Sequence, residues 1–405
     1  MTSVRASLAK HQDLMVGALS TTYGLFYLGR ANISVVLPII ALDLGLSLAE
    51  VGALGTVFFW VYGIFQFISG EIGNHVSPFR IVSLGLLATA IVNLAFSLQT
   101  SLIAMLILWG MNGMAQSCGW SPMARILAER LEPRRIKSAS TLMPFGYVIG
   151  TAVTWTLVGA VSAGENWRVA FWLPGLLLLM VLAFWWKAGI DAPKTKSRRF
   201  RLSTIVIQAR SIAFVMVVAA LVGFVRNGSL IWLPTYILDT ELIAGNLVGM
   251  VAALTQVVAL LGLLLARYRV ESSDQVFMTA VLMSCAAGLG FLLLSQMSGL
   301  VAILVLALAL MMLNGAYGLA ITSIPLMRSP RGRASSIAGT VNMMATLIGG
   351  TAGFVIGGLV ELSGWAAVFG LWGALLLLAA LLIWRRRHEE DKTPERESPD
   401  SRQPA

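Results

Sequence analysis

Apolar residues run along this chain in long blocks separated by short polar breaks. The first six blocks fall near 15–40, 51–70, 80–98, 101–128, 137–161 and 167–187. Six more follow near 211–238, 244–266, 274–296, 299–322, 334–360 and 364–384. A helix needs about 20 apolar residues to cross a bilayer core, so each block predicts one membrane-spanning helix. Between the two sets lies a polar stretch from Lys187 to Arg210, which holds Lys194, Lys196, Arg198, Arg199 and Arg201. Arg385 opens a charged tail containing Pro and Ser, a composition that predicts disorder. The predicted fold is all-α and polytopic, with an N-terminal six-helix half over 1–190 and a basic linker over 191–210. A C-terminal six-helix half occupies 211–385 and the tail 386–405.

Composition removes the alternatives. Of the 405 residues, 57% are hydrophobic and only 12% charged, with a mean hydropathy of +0.81. Soluble domains carry about 25% charged residues, so a water-soluble reading fails. Two cysteines cannot build a disulfide framework, and His and Cys show no metal-ligand spacing, so no metal or cofactor is expected. Arg5 and Lys10 precede the first block in the manner of a signal peptide. That block is too long, contains Arg30 and lacks a small-residue cleavage site, so it is expected to remain as the first span.

Charge sets the topology. With both termini in the cytoplasm, all but three of the 29 Lys and Arg residues fall at cytoplasmic loops, ends or tails. The exceptions are Arg168 in an external loop and Arg30 and Arg226 within spans. External loops instead hold Asp43, Glu50, Glu165, Asp239, Glu241 and Glu361. This positive-inside pattern predicts a multi-pass protein of the bacterial inner membrane. The net charge of +10 then reflects membrane orientation, and the linker an anchor on anionic lipid, with no nucleic-acid partner expected.

The halves echo each other. Arg30 precedes a "VLP" ending at Pro38, and Arg226 precedes a "WLP" ending at Pro234. Spans 5 and 11 are rich in small residues, and each is followed by a tryptophan that opens the next span, in "ENWRVAF" and "SGWAAVF". Such repeats build a midplane site between halves in secondary transporters. A mid-bilayer arginine costs at least about 2.5–3.5 kcal/mol on insertion scales. All 19 acidic residues lie outside the spans or at their ends, the nearest being Glu71. A bound anion would supply the missing charge, and the guanidinium fork suits phosphate or carboxylate oxygens. The competing reading, snorkelling or backbone capping, suits arginines nearer a helix end.

Tyr23, Tyr27 and Arg30 are spaced i, i+4, i+7, which puts two phenols on the arginine's helical face. A plain aromatic packing stripe would give the same spacing. Gln66, Asn112, Gln116, Trp120, Tyr147, Asn314, Tyr317 and Asn342 are further polar or aromatic groups in the spans, and helix–helix hydrogen bonding competes with a substrate role for each. Asn32 and Asn227 are expected to act as such inter-helix glue. Cys118 and Cys285 read as packing residues. His11, His75 and His388 fall in predicted tails or loops, so no membrane proton relay is expected.

These residues resemble the major facilitator superfamily and, within it, the organophosphate:phosphate antiporters. Span 1, "YGLFYLGRANISVVLP", is similar to that family's Tyr-Leu-x-Arg-x-Asn segment with a following Pro. Span 4 contains "NGMAQSCGWSPMARILAERLEPRRIKSAS", span 7 "FVRNGSLIWLPTYIL" and span 11 "IAGTVNMMATLIGG", each similar to the family's counterpart. The chain departs from the pattern at "GEIGNH", where Asn74 and His75 replace Asp and Arg. It departs again at Gln66, where the antiporters carry lysine, and in "TLMPFGYVIG", which lacks the span 5 histidine. Ile231 stands where the family has an acidic residue. The resemblance implies alternating-access transport of small, phosphorylated organic anions by exchange, with inorganic phosphate as counter-substrate. The expected substrate shell is Arg30, Arg226, Tyr27, Tyr23, Gln66, Trp120, Tyr317 and Asn342. A monomer is expected and an enzyme is not, since no nucleophile–base pair occurs in the spans. The alternatives are a non-transporting membrane sensor of such a metabolite and a proton-coupled organic-anion symporter.

Overall fold

The computed structural model describes residues 2–72, 76–162, 166–191, 202–268, 272–327 and 334–391. Every regular element among them is helical. The first half comprises α1 (Thr2–Phe26), a 3₁₀ turn (Tyr27–Gly29), α2 (Asn32–Leu44), α3 (Leu48–Ile72), α4 (Pro78–Phe96), α5 (Leu102–Gln116), α6 (Trp120–Arg130), α7 (Pro133–Val161) and α8 (Val169–Ala188). The second comprises α9 (Leu202–Asp239), α10 (Gly245–Tyr268), α11 (Ser273–Leu294), α12 (Gly299–Gly318), a π-turn (Leu319–Ser323), α13 (Ile324–Met327), α14 (Ala334–Gly350) and α15 (Ala352–Asp391).

Ten segments of the described residues are long and apolar enough to cross a membrane. The last of them, Gly339–Arg387, is folded at Gly364, whose left-handed φ of 72° breaks the helix, so it holds two crossings. With the shorter apolar helix α7, the described residues hold twelve crossings. Large apolar side chains such as Ile107 and Leu304, 60% and 66% exposed, face outward as a lipid-bathed protein requires.

Boundaries differ from the sequence pattern in three places. The seventh span begins at Leu202, so residues 202–210 of the expected linker are helical. The last helix runs to Asp391, which makes 386–391 helical where a disordered tail was expected and puts His388 in a helix; His11 likewise lies in α1. The first span breaks at Tyr27–Gly29, while Pro38 and Pro234 sit inside continuous helices. The pair Asn74 and His75, Glu165, the cations from Lys194 to Arg201 and the chain beyond Asp391 lie outside the described residues.

Small residues set the helix spacing. Gly24 of α1 meets Gly146 and Gly150 of α7, and Gly223 of α9 meets Ala345 and Gly349 of α14 in the other half. The halves meet along α3, which runs antiparallel to α14 and the start of α15: Gly63 faces Leu347, Gly52 faces Gly353, and Leu48 faces Gly357. A Cβ at Gly353 would collide with the carbonyl oxygen of Gly52. The amide of Phe354 donates to Thr56 Oγ1 at 3.0 Å, and that of Leu48 to Glu361. Gly159 of α7 abuts Gly249 of α10 nearby. The halves are thus sealed together at the end of the bundle away from the termini.

At that same end each half carries a clasp. Trp167 Nε1 donates to Asp43 Oδ2 at 2.8 Å, and Trp365 Nε1 donates to Asp239 Oδ2 at 2.9 Å. The repeated tryptophans of the sequence tie the last helix of each half to the first.

Candidate functional site

The turn at Tyr27–Ala31 is where the site begins. A helix that stops mid-membrane leaves carbonyls without partners, and in lipid each must be satisfied from within the protein. Here α5, α4 and α7 supply the donors. Gln116 Nε2 donates to Phe26 O at 2.9 Å, and Asn112 Nδ2 and Asn93 Nδ2 donate to Gly29 O at 2.6 and 3.1 Å. Trp155 Nε1 donates to Ala31 O at 3.0 Å. Asn32 Nδ2 continues the network to Asn93 Oδ1 at 2.8 Å and Ala170 O at 2.7 Å. Asn112, Gln116 and Asn32 therefore act as inter-helix glue, and the segment they glue is the one that aims Arg30.

Arg30 lies inside a cage of aromatic rings. Its guanidinium carbon is 4.7 Å from the centre of the Tyr27 ring, 4.8 Å from Tyr62, 5.0 Å from Phe58 and 5.6 Å from Phe59. Cation–π attraction strengthens as water is removed, so the cage steadies the charge without neutralising it. Arg226, on the unbroken helix α9, has a similar but smaller setting. Its guanidinium is 4.5 Å from the Tyr317 ring and 5.7 Å from that of Tyr147, and Nη2 donates to Tyr147 Oη at 3.3 Å. Its buried Nε has no hydrogen-bond partner among the described residues. Neither arginine has a carboxylate within 4.0 Å among those residues.

The two centres are joined through rings. Tyr27 stacks on Tyr147 at 5.7 Å with 29° between planes, so the order is Arg30, Tyr27, Tyr147, Arg226. Both arginines and both tyrosines line one cavity of about 60 Å³, which extends between the halves toward Leu37 and Trp109.

Of the expected shell, Arg30, Arg226 and Tyr27 line the cavity together, with Tyr317 against Arg226. Tyr23 contacts Tyr27 edge-on at 5.7 Å and Trp120 at 5.3 Å, so these two sit behind Tyr27, one and two rings removed from Arg30. Gln66 and Asn342 bond to each other across the halves at 3.2 Å, and Gln66 Nε2 donates to Tyr62 Oη at 3.3 Å. Among the described residues they connect to the cage through Tyr62. Asn314 turns back onto Leu310 O of its own helix at 3.0 Å.

Sequence reasoning missed Phe58, Phe59, Tyr62, Trp109, Thr151 and Trp155. A signal existed for some: Phe58, Tyr62 and Gln66 are spaced by four and share a face of α3. The indole of Trp155, acting on a carbonyl of span 1, had no sequence signal.

The sequence pattern of the Major Facilitator Superfamily matches residues 19–353, most of the chain. The chain belongs to that superfamily. A probable hexose phosphate transport protein of Chlamydia pneumoniae is 29% identical over 157 residues, 39% of this chain and 34% of that protein. The membrane sensor protein UhpC of Salmonella typhimurium is 30% identical over 159 residues, 39% of this chain and 36% of that one. The chain thus spans about a third of the length of these relatives. The fold is matched over a greater length. A crystal structure of a bacterial homologue of the human lysosomal transporter Spinster superposes with a TM-score of 0.76 at 17% identity, covering 96% of this chain and 99% of that one.

Proposed function

We propose that this protein is a secondary transporter of small organic anions, working by alternating access between its two halves. The carrying observation is the pair of caged guanidiniums, Arg30 from the first half and Arg226 from the second, facing one cavity with no carboxylate of the described residues beside either. An oxyanion placed between them gains charge-assisted hydrogen bonds and relieves two buried positive charges at once. The relative named for hexose phosphate transport supports a phosphorylated head group.

In this reading the protein resides in the bacterial inner membrane with both termini cytoplasmic, and the sealed far end is the outer one. The structure is then the inward-facing state. To face outward, the Gly52–Gly353 and Gly159–Gly249 contacts part and the halves close on the terminal side. Empty, this movement carries two uncompensated charges through a dry interface. With an anion bound, the repulsion is removed. The expected cycle is therefore obligatory exchange, with inorganic phosphate as counter-anion. Proteoliposomes loaded with phosphate should take up radiolabelled phosphate without a pH gradient. Uptake into unloaded vesicles driven only by an imposed pH gradient would overturn exchange in favour of proton symport.

The relative named as a membrane sensor favours a second reading, in which the same site binds a metabolite without transport. Phosphate binding by the purified protein together with no exchange in proteoliposomes would select it.

A further inference from the structure

Beyond the two arginines the cavity changes character. The wall toward the sealed end is formed by Leu37, Phe58, Phe59, Trp109, Trp155 and Ile231. Leu37, Trp109 and Trp155 are at most 1% exposed, and Ile231 is buried against Gly55 of the opposite half. The polar atoms of that wall are few, and two are already engaged. The Trp155 indole N–H is bound to Ala31 O, and the Thr151 hydroxyl donates to Tyr147 O at 2.9 Å. The Ser34 hydroxyl and the Trp109 indole also line it.

We infer that the site selects an oxyanion carrying an apolar body, aromatic or short aliphatic, over an equally charged polyhydroxylated one. This rests on the anion-binding role proposed for Arg30 and Arg226. With the head between the guanidiniums, the organic part lies against rings and aliphatic side chains. An apolar body there leaves water for a surface already dry. A sugar body brings several hydroxyls to the same wall, where each sheds its hydration and most find no partner. Sites discriminate strongly when such groups are left unpaired. Ile231 is the specificity-determining residue, because it lines the cavity from the second half together with Leu230 and packs on Gly55 of the first.

Purified full-length protein is titrated with phenylphosphonate, benzoate, glucose 6-phosphate and inorganic phosphate, following the thermal-unfolding midpoint, with phenol as the uncharged control. Binding raises the midpoint by mass action. Phenylphosphonate is expected to half-saturate at a concentration at least about tenfold below that for glucose 6-phosphate. Ile231→Gln should narrow that ratio to within about threefold, and Phe59→Tyr serves the same purpose if the first variant does not fold. Glucose 6-phosphate saturating at or below the phenylphosphonate concentration would overturn the apolar-body inference and leave the anion site standing. So would phenol stabilising as much as phenylphosphonate. If none of the anions shifts the midpoint, or if Arg226→Lys responds as the unaltered protein does, the anion site itself falls and the inference falls with it.

Discussion

Arg226, on the second half, donates from Nη2 to the phenol of Tyr147 on the first at 3.3 Å. The polar centre of the protein is therefore a cross-half contact, and a ligand there touches both moving parts. Tyr147→Phe keeps the ring that stacks on Tyr27 and removes only the hydroxyl. Its apparent affinity for inorganic phosphate should fall by about 10–100-fold, the worth of one hydrogen bond to a charged group. Isothermal titration of the purified variant reads this directly, and an unchanged affinity would remove Tyr147 from the site.

Arg30→Lys and Arg226→Lys test the fork itself. Each keeps the positive charge but loses bidentate geometry and much of the flat stacking against Tyr27, Tyr62 or Tyr317. Phosphate binding should weaken by at least about tenfold in each, with a normal gel-filtration profile. Full phosphate exchange by Arg226→Lys in proteoliposomes would move the site elsewhere.

The amides around the broken helix make a prediction about stability. Asn112→Leu deletes the 2.6 Å bond to Gly29 O and leaves that carbonyl to Asn93 alone. Unfolding should become easier by about 1–3 kcal/mol. Because the turn also aims Arg30, phosphate affinity should drop at temperatures where the variant is still folded. A variant that loses stability but binds normally would reduce Asn112 to a packing role.

The far-end seal can be blocked sterically. Gly353→Leu pushes a side chain into the backbone at Gly52 and costs about 1–3 kcal/mol of packing. It should hold that end apart, so phosphate exchange should cease while phosphate still binds within about threefold of normal. Normal exchange by this variant would show that the Gly52–Gly353 contact is not part of the cycle.

Much of this was legible beforehand, and for a physical reason: lipid forbids what it cannot solvate. Twelve apolar blocks, and two arginines with no acid near them, stand out against that background. The two tryptophans after spans 5 and 11 could be seen as a repeat, although their aspartate partners could not. The break at Tyr27–Gly29 was hidden because proline is the visible breaker, and Pro38 stays inside its helix. That break depends on Asn93, Asn112, Gln116 and Trp155, donors far away in the chain. The apolar wall was equally hidden. Phe, Trp, Leu and Ile are the background composition of every span, and only the packing shows which of them face inward.

The broken helix of the first half and the unbroken helix of the second have no reason to respond alike. To displace Arg30, four donors on three neighbouring helices must each release a backbone carbonyl at the break; Arg226 rides on an unbroken helix, and its hydrogen bond across to the first half is the one to the Tyr147 phenol. In the proposed cycle the pair would work as a vice with one fixed jaw: the first half would set the depth at which the anion sits, and the second half would travel to meet it. Variation in grip should therefore follow changes in the second half, while changes around the turn in the first should alter where, relative to the membrane, the cargo is held.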